Sequence, residues 1–108
     1  MKSYEVAKGK YGAARGKVMA ALTDKDFCLS LGEDAVTLLR FIDGLYQQEE
    51  ANPSPTVVFT VAKTRAKTGL TLERQNKALA QLEQSKLITL YRFKDGRGRD
   101  EKTIVVNP

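Results

Sequence analysis

Residues 68–88 read TGLTLERQNKALAQLEQSKLI, and the fold turns on how this stretch is punctuated. Gly69 adopts positive φ without steric cost, so it suits the position just past the end of a helix over residues 61–68. Thr71 follows, and its hydroxyl can accept from a free N–H in the first turn of a second helix over 72–85. Leu72, Ala78, Leu79 and Leu82 point to one side of that helix and give it a core face. At about 100° per residue, Glu73, Arg74, Lys77, Ala80, Gln81 and Gln84 face the other way. The stretch predicts two helices joined by the tight turn Thr68-Gly69-Leu70-Thr71.

Upstream, Thr60 can cap the helix over 61–68, and Thr56–Phe59 is β-branched and aromatic enough for a brief strand. Asn52-Pro53-Ser54-Pro55 breaks the chain before it, because each proline forces its predecessor out of the α region. Residues 33–50 read as an amphipathic helix. Ala35, Leu38, Leu39, Ile42, Leu45 and Tyr46 make its apolar stripe, and Glu33 and Asp34 sit at the favourable end of its dipole. Downstream, Leu87, Ile88, Leu90 and Phe93 lead into the glycine-rich turn 94–100, and Thr103, Ile104, Val105 and Val106 follow. That is a β-hairpin with Lys94, Arg97 and Arg99 at its tip. In residues 1–28, Tyr11, Ala14, Val18 and Leu22 recur at helical spacing. Gly12 and Gly16 oppose a helix there, each costing about 0.8–1 kcal/mol in a helix interior. Residues 1–28 are read as a basic N-terminal arm or a short helix over 10–22, ahead of a domain spanning 29–108.

Helix, helix, tight turn, helix and basic hairpin is the order of winged helix-turn-helix proteins, and residues 68–88 closely resemble that family's recognition-helix segment. The likeness rests on the Thr-Gly-Leu-Thr turn, on Leu79 and Leu82 three apart, and on the Leu87-Ile88 exit into the wing. It covers about 31–106. Three positions depart from the pattern. Gln75 stands on the apolar side and Arg65 in the preceding helix, both where an aliphatic residue is usual, and Lys86 stands where the family often has glycine. A buried Gln75 needs partners for its amide, either the local backbone or, after a small helix shift, DNA. The expected fold class is α+β: a three-helix core, a C-terminal β-hairpin wing and an N-terminal arm or short helix.

The resemblance implies sequence-specific binding of double-stranded DNA, with the helix over 72–85 in the major groove and the wing beside it. Thr71, Glu73, Arg74, Asn76, Lys77 and Gln81 are then the recognition-helix contacts. Arg74 and Lys77 suit guanine or phosphate, Gln81 suits adenine, and Asn76 lies on the flank and reaches either way. Glu73 either accepts from cytosine or repels phosphates that approach in the wrong register. Arg92, Lys94, Arg97 and Arg99 are the wing contacts, to the minor groove or to phosphates. Lys63, Arg65 and Lys67 would grip the DNA backbone, which the first helix of such a pair crosses.

Composition narrows the function classes. The chain has 108 residues and a net charge of +5, distributed as +4 over residues 1–25, −5 over 26–55 and +6 over 56–108. Two basic segments that converge in space make a footprint for a polyanion. There is no histidine, the commonest general base and metal ligand, and Cys28 is the only cysteine, so no intramolecular disulfide forms. Cys28, between Phe27 and Leu29, reads as a small core residue rather than a reactive thiol, and the four tyrosines are too dispersed for a single-strand stacking platform. No apolar run approaches membrane-spanning length. The expectation is a non-enzymatic, cytoplasmic, nucleoid-associated protein without cofactor, metal, membrane partner or small-molecule ligand. It would serve as a small transcriptional regulator or as the DNA-binding module of a plasmid or phage replication or partition system, with a homodimer as the favoured assembly. The alternative is a winged-helix protein-interaction module inside a larger assembly. RNA or single-strand binding stands third.

Overall fold

The computed structural model describes residues 3–48, 56–94, 96–97 and 100–107. They form an α+β fold of five helices and one three-stranded antiparallel sheet. In chain order these are α1 (Ser3–Thr23), α2 (Lys25–Leu31), α3 (Glu33–Gln48), β1 (Thr56–Phe59), α4 (Val61–Thr68), α5 (Leu72–Gln84), β2 (Ile88–Lys94) and β3 (Asp100–Val106).

Local chemistry accounts for most of the boundaries. Asp24 caps α2 by accepting from the Phe27 N–H, and Gly32 at φ 93° stops it. Thr60 accepts from the Lys63 N–H at the start of α4, and Gly69 at φ 75° closes that helix in the left-handed region. Thr71 accepts from the Arg74 N–H and starts α5. α5 ends at Gln84, and Lys86 just beyond it has φ 64°, a conformation that glycine adopts without strain. The breaker Asn52–Pro55 and the last two residues of the helix expected over 33–50 lie outside the described residues.

The sheet order is β1-β3-β2. Val57 pairs with Ile104 and Leu90 pairs with Ile104 from the other side, so Val57, Ile104 and Leu90 form one inward-facing row. Asn107 fastens the open end of the β2–β3 hairpin. Its N–H donates to the Leu87 carbonyl at 2.8 Å and its Nδ2 to the Lys86 carbonyl at 2.8 Å, while the Thr89 hydroxyl donates to its Oδ1 at 2.6 Å. The core joins this row to Leu38, Leu39, Ile42 and Tyr46 of α3 and to Ala78, Leu79 and Leu82 of α5.

The N-terminal segment differs from the arm or short helix expected of it. α1 runs 21 residues, and Tyr11, Ala14, Val18 and Ala21 place its inner face in the same core as the sheet. The two glycines that argued against a helix, Gly12 and Gly16, are exposed on its outer side, so their propensity cost is met by tertiary docking of the inner face. The Tyr11 hydroxyl donates to the Tyr46 carbonyl at 2.7 Å, and the two rings lie 6.1 Å apart. Burial pushes the Tyr46 hydroxyl above its ordinary pKa of 10.0, against the downward pull of a backbone hydrogen bond with Val106. A further tie from α1 to α3 is the Arg15–Asp43 ion pair at 3.8 Å.

Two more expectations need correction. The helical core among the described residues has five helices rather than three, since α1 and α2 precede the α3, α4 and α5 that the sequence suggested. The sequence places Leu72 on the core side of α5, yet it is 51% exposed, and Gln75 takes the buried position at 0% exposure. Leu72 opens the helix at its first position, where the turn residue Leu70 already fills the core.

Candidate nucleic-acid interface

The pose of α5 is fixed from within by Gln75. Its Nε2 donates to the Leu70 carbonyl at 2.9 Å and to the Val61 carbonyl at 3.3 Å, tying the helix both to the tight turn and to the start of α4. Of the two outcomes open to a buried Gln75, the local backbone bond is the one realised. Its Oε1 is buried without a hydrogen-bond partner. The turn is stitched further by Thr68, whose hydroxyl donates to the Thr64 carbonyl and accepts from the Leu70 N–H.

The outward side of α5 has two unlike flanks. On one, Arg74 folds back onto α3. Its Nε donates to Asp34 Oδ2 at 2.9 Å and its Nη2 to Asp34 Oδ1 at 2.7 Å, a bidentate pair. The hydrogen bond from Arg74 holds the Asp34 carboxyl below its ordinary 3.8, and the same contact raises the Arg74 guanidinium. Lys77 and Gln81 lie on this flank too, around a shallow hollow of about 280 Å³ that they share with Gly32, Glu33 and Asp34. Three of the six recognition-helix residues inferred from the sequence thus stand beside two carboxylates.

The other flank faces the hairpin. A cleft of about 690 Å³ is lined by Val61, Leu72 and Asn76 on the helical side and by Arg92, Lys94 and Lys102 on the hairpin side, with Phe93 and Glu101 completing it. Arg92 and Lys102 are directly paired across β2 and β3, so the two side chains share one face, and Lys94 follows Arg92 on that face. Arg92 also reaches Glu83 of α5 at 3.6 Å, and Lys102 Nζ stands 5.9 Å from the centroid of the Phe59 ring, within cation–π range. Lys102 was absent from the sequence-derived site. Counting back by twos from the core positions Val106 and Ile104 puts it on their face, and that period was the available signal.

The remaining candidates fall elsewhere. The Thr71 hydroxyl is occupied as the cap of α5, and Glu73 is exposed between the two flanks. Lys63 and Lys67 line a separate cleft of about 630 Å³ with Phe41, Leu45 and Val58, between α3, β1 and α4. At about 100° per residue they lie well round α4 from Val61, whereas Arg65 is displaced from Val61 by only about 40°. Arg97 is exposed in the hairpin turn, and Arg99 lies outside the described residues. On the sheet's outer face, Val58 and Tyr91 flank Thr103 and are 55% and 59% exposed.

Among the described residues, no group of three His, Cys, Asp or Glu side chains could hold a metal ion. Cys28 is half-buried and its thiol donates to the Ala21 carbonyl at 3.2 Å. Among the described residues, no helix is long and apolar enough to cross a membrane. Compared with protein-family models, with curated proteins and with solved structures, the chain matches none of them.

Proposed function

We propose that this chain is a winged helix-turn-helix protein that binds double-stranded DNA, with α5 entering the major groove and the β2–β3 hairpin acting as the wing. The observation that carries the reading is the cleft between α5 and the hairpin, where Arg92, Lys94 and Lys102 face Asn76 across a surface open to solvent. A helix about 10–12 Å across fits a groove about 12 Å wide, and cations beside it meet the phosphates that border that groove. The element order supports the same reading. α3, α4, α5 and the hairpin follow one another in the order that carried the resemblance, and β1, between α3 and α4, adds a third strand to the sheet against β3. α1 and α2 are then additions in front of that core. On this reading Arg65 grips the DNA backbone, and Lys63 and Lys67 do not take part.

Titration of random-sequence duplex at several salt concentrations tests the proposal. Log affinity should fall linearly with log salt, by about 0.9 per phosphate neutralised. Arg92→Ala/Lys94→Ala, Lys102→Ala and Arg65→Ala should each bind more weakly with a shallower slope, while Lys63→Ala/Lys67→Ala should match the unmodified protein. Absence of binding at low salt, or hairpin variants that bind as the unmodified protein does, refutes it. The role would be that of a small transcriptional regulator or of a replication or partition module, acting on inverted half-sites if the chain pairs with a second copy. A second reading, a protein-interaction module, draws on the exposed Val58 and Tyr91 of the outer sheet face. It predicts that Tyr91→Ser breaks self-association or partner capture and leaves DNA affinity unchanged.

A further inference from the structure

The first turns of α5 carry a pair of side chains whose chemistry suits one kind of base pair. Leu72 and Asn76 are four residues apart, so they stand one above the other on the same side of the helix, and both line the cleft against the hairpin. Leu72 is an apolar side chain half open to solvent at the start of the helix, the end from which a groove-binding helix reaches base edges. Asn76 is exposed in the next turn. The residue best suited to guanine, Arg74, is engaged on the opposite flank by both oxygens of Asp34, and Lys77 shares a hollow with that carboxylate. What α5 presents beside the cationic hairpin is therefore a carboxamide and an aliphatic group.

We infer that Leu72 and Asn76 form the base-reading surface of this protein and that they select an A·T pair in duplex DNA. In the major groove adenine shows an acceptor at N7 beside a donor at N6, which a carboxamide matches with two hydrogen bonds. Thymine shows its 5-methyl group, the one apolar feature of that groove, and an exposed leucine side chain covers it. Arg92, Lys94 and Lys102 supply the charge that holds the duplex against this surface. The inference rests on the DNA-binding reading above and adds to it which base pair is chosen and by which atoms.

Four alternating copolymer duplexes, compared at one salt concentration, test it. The unmodified protein should bind poly(dA-dT) about forty-fold more tightly than poly(dG-dC), about ten-fold from one bidentate base contact and about four-fold from the thymine methyl. Poly(dI-dC) carries the major-groove edge of a G·C pair and the minor-groove edge of an A·T pair, and it should behave as poly(dG-dC) does. Poly(dA-dU) lacks the thymine methyl and should bind about four-fold more weakly than poly(dA-dT), as burial of one methyl-sized group implies. Asn76→Ala should cut the preference for poly(dA-dT) over poly(dG-dC) to the roughly four-fold that the Leu72 contact with the thymine methyl supplies. Leu72→Ala, at an exposed position that leaves the fold intact, should bind the dT and dU duplexes alike. Binding without A·T preference, or poly(dI-dC) bound as tightly as poly(dA-dT), overturns the inference and leaves the DNA reading standing. Failure to bind any of the four overturns both.

Discussion

Replacing Tyr11 with phenylalanine removes one oxygen and leaves both aromatic rings in place. In the native fold that oxygen donates to the Tyr46 carbonyl at 2.7 Å, in a buried contact between residues 35 apart in sequence. The bond ties α1 to the last described turn of α3. A neutral hydrogen bond is worth about 0.5–1.5 kcal/mol net, and one buried between two elements lies toward the upper end of that range. The variant should lose about 1–1.5 kcal/mol. For a domain of this length each kcal/mol moves the midpoint by roughly 4–8 °C, so Tm should fall by about 5–10 °C. Urea unfolding and a thermal melt followed by far-ultraviolet circular dichroism read both quantities. Tyr91→Phe is the control: that ring is exposed, and the loss of its hydroxyl should stay within about 0.5 kcal/mol. A Tyr11→Phe protein that unfolds together with the unmodified one would mean that α1 is an appendage rather than part of the core.

Gln75→Leu should lose about 1 kcal/mol, because the Leu70 carbonyl is left without its partner while the unpaired Oε1 is removed as well; Gln75→Glu, which buries a carboxylate there, should lose on the order of 3 kcal/mol or more. A Leu variant more stable than the native protein would show that the amide is no staple. Lys86→Gly should exceed Lys86→Ala in stability by about 1 kcal/mol in denaturant titrations, since φ 64° strains any residue with a Cβ; equal values would contradict that strain. Asp34→Asn should flatten the acid limb of the stability curve. The folded-state pKa of Asp34 is depressed, so the stability it contributes is present above its ordinary 3.8 and is lost as pH falls through the lower folded value. The same variant should bind random duplex about two- to five-fold more tightly at low salt, and tighter binding that persists at high salt would rule out an electrostatic cause.

Sequence reading found the elements whose ends are marked locally. Thr60, Gly69 and Thr71 announce α4 and α5 by their own chemistry, and β-branched and aromatic runs announce the strands. α1 was underestimated because the propensity cost of Gly12 and Gly16 outweighs, in the sequence, the short stripe of Tyr11, Ala14 and Val18, whose docking against the core the sequence does not show. α2 was missed although Asp24 caps it, since seven residues show too little periodicity to register. At the candidate site, Arg92, Lys94 and Asn76 were legible from the hairpin and the helix face. The loss of Arg74 to Asp34 was not, because the two are 40 residues apart and only the packing of α5 on α3 brings them together. Lys102 was passed over for a related reason: the register of β3 decides its face, and a strand's register is set by its partners.

That ion pair gives the charge pattern of the chain a direction. The acidic block between the two basic ones contains α3, and its first residues, Glu33 and Asp34, are set against the Arg74 and Lys77 flank of α5. A free arginine on that flank meets phosphates in any register, including registers that do not seat Asn76 against a base, so it strengthens non-specific poses most. Holding Arg74 against a carboxylate weakens that indiscriminate term, and the cations that remain beside Asn76 belong to the hairpin. What counts for a DNA reader is the ratio of specific to non-specific affinity, and lowering the second raises the ratio as surely as raising the first. On the proposed reading, Asp34 therefore contributes to sequence selection without touching a base. Removing its charge should raise affinity for random duplex more than affinity for an A·T-containing site.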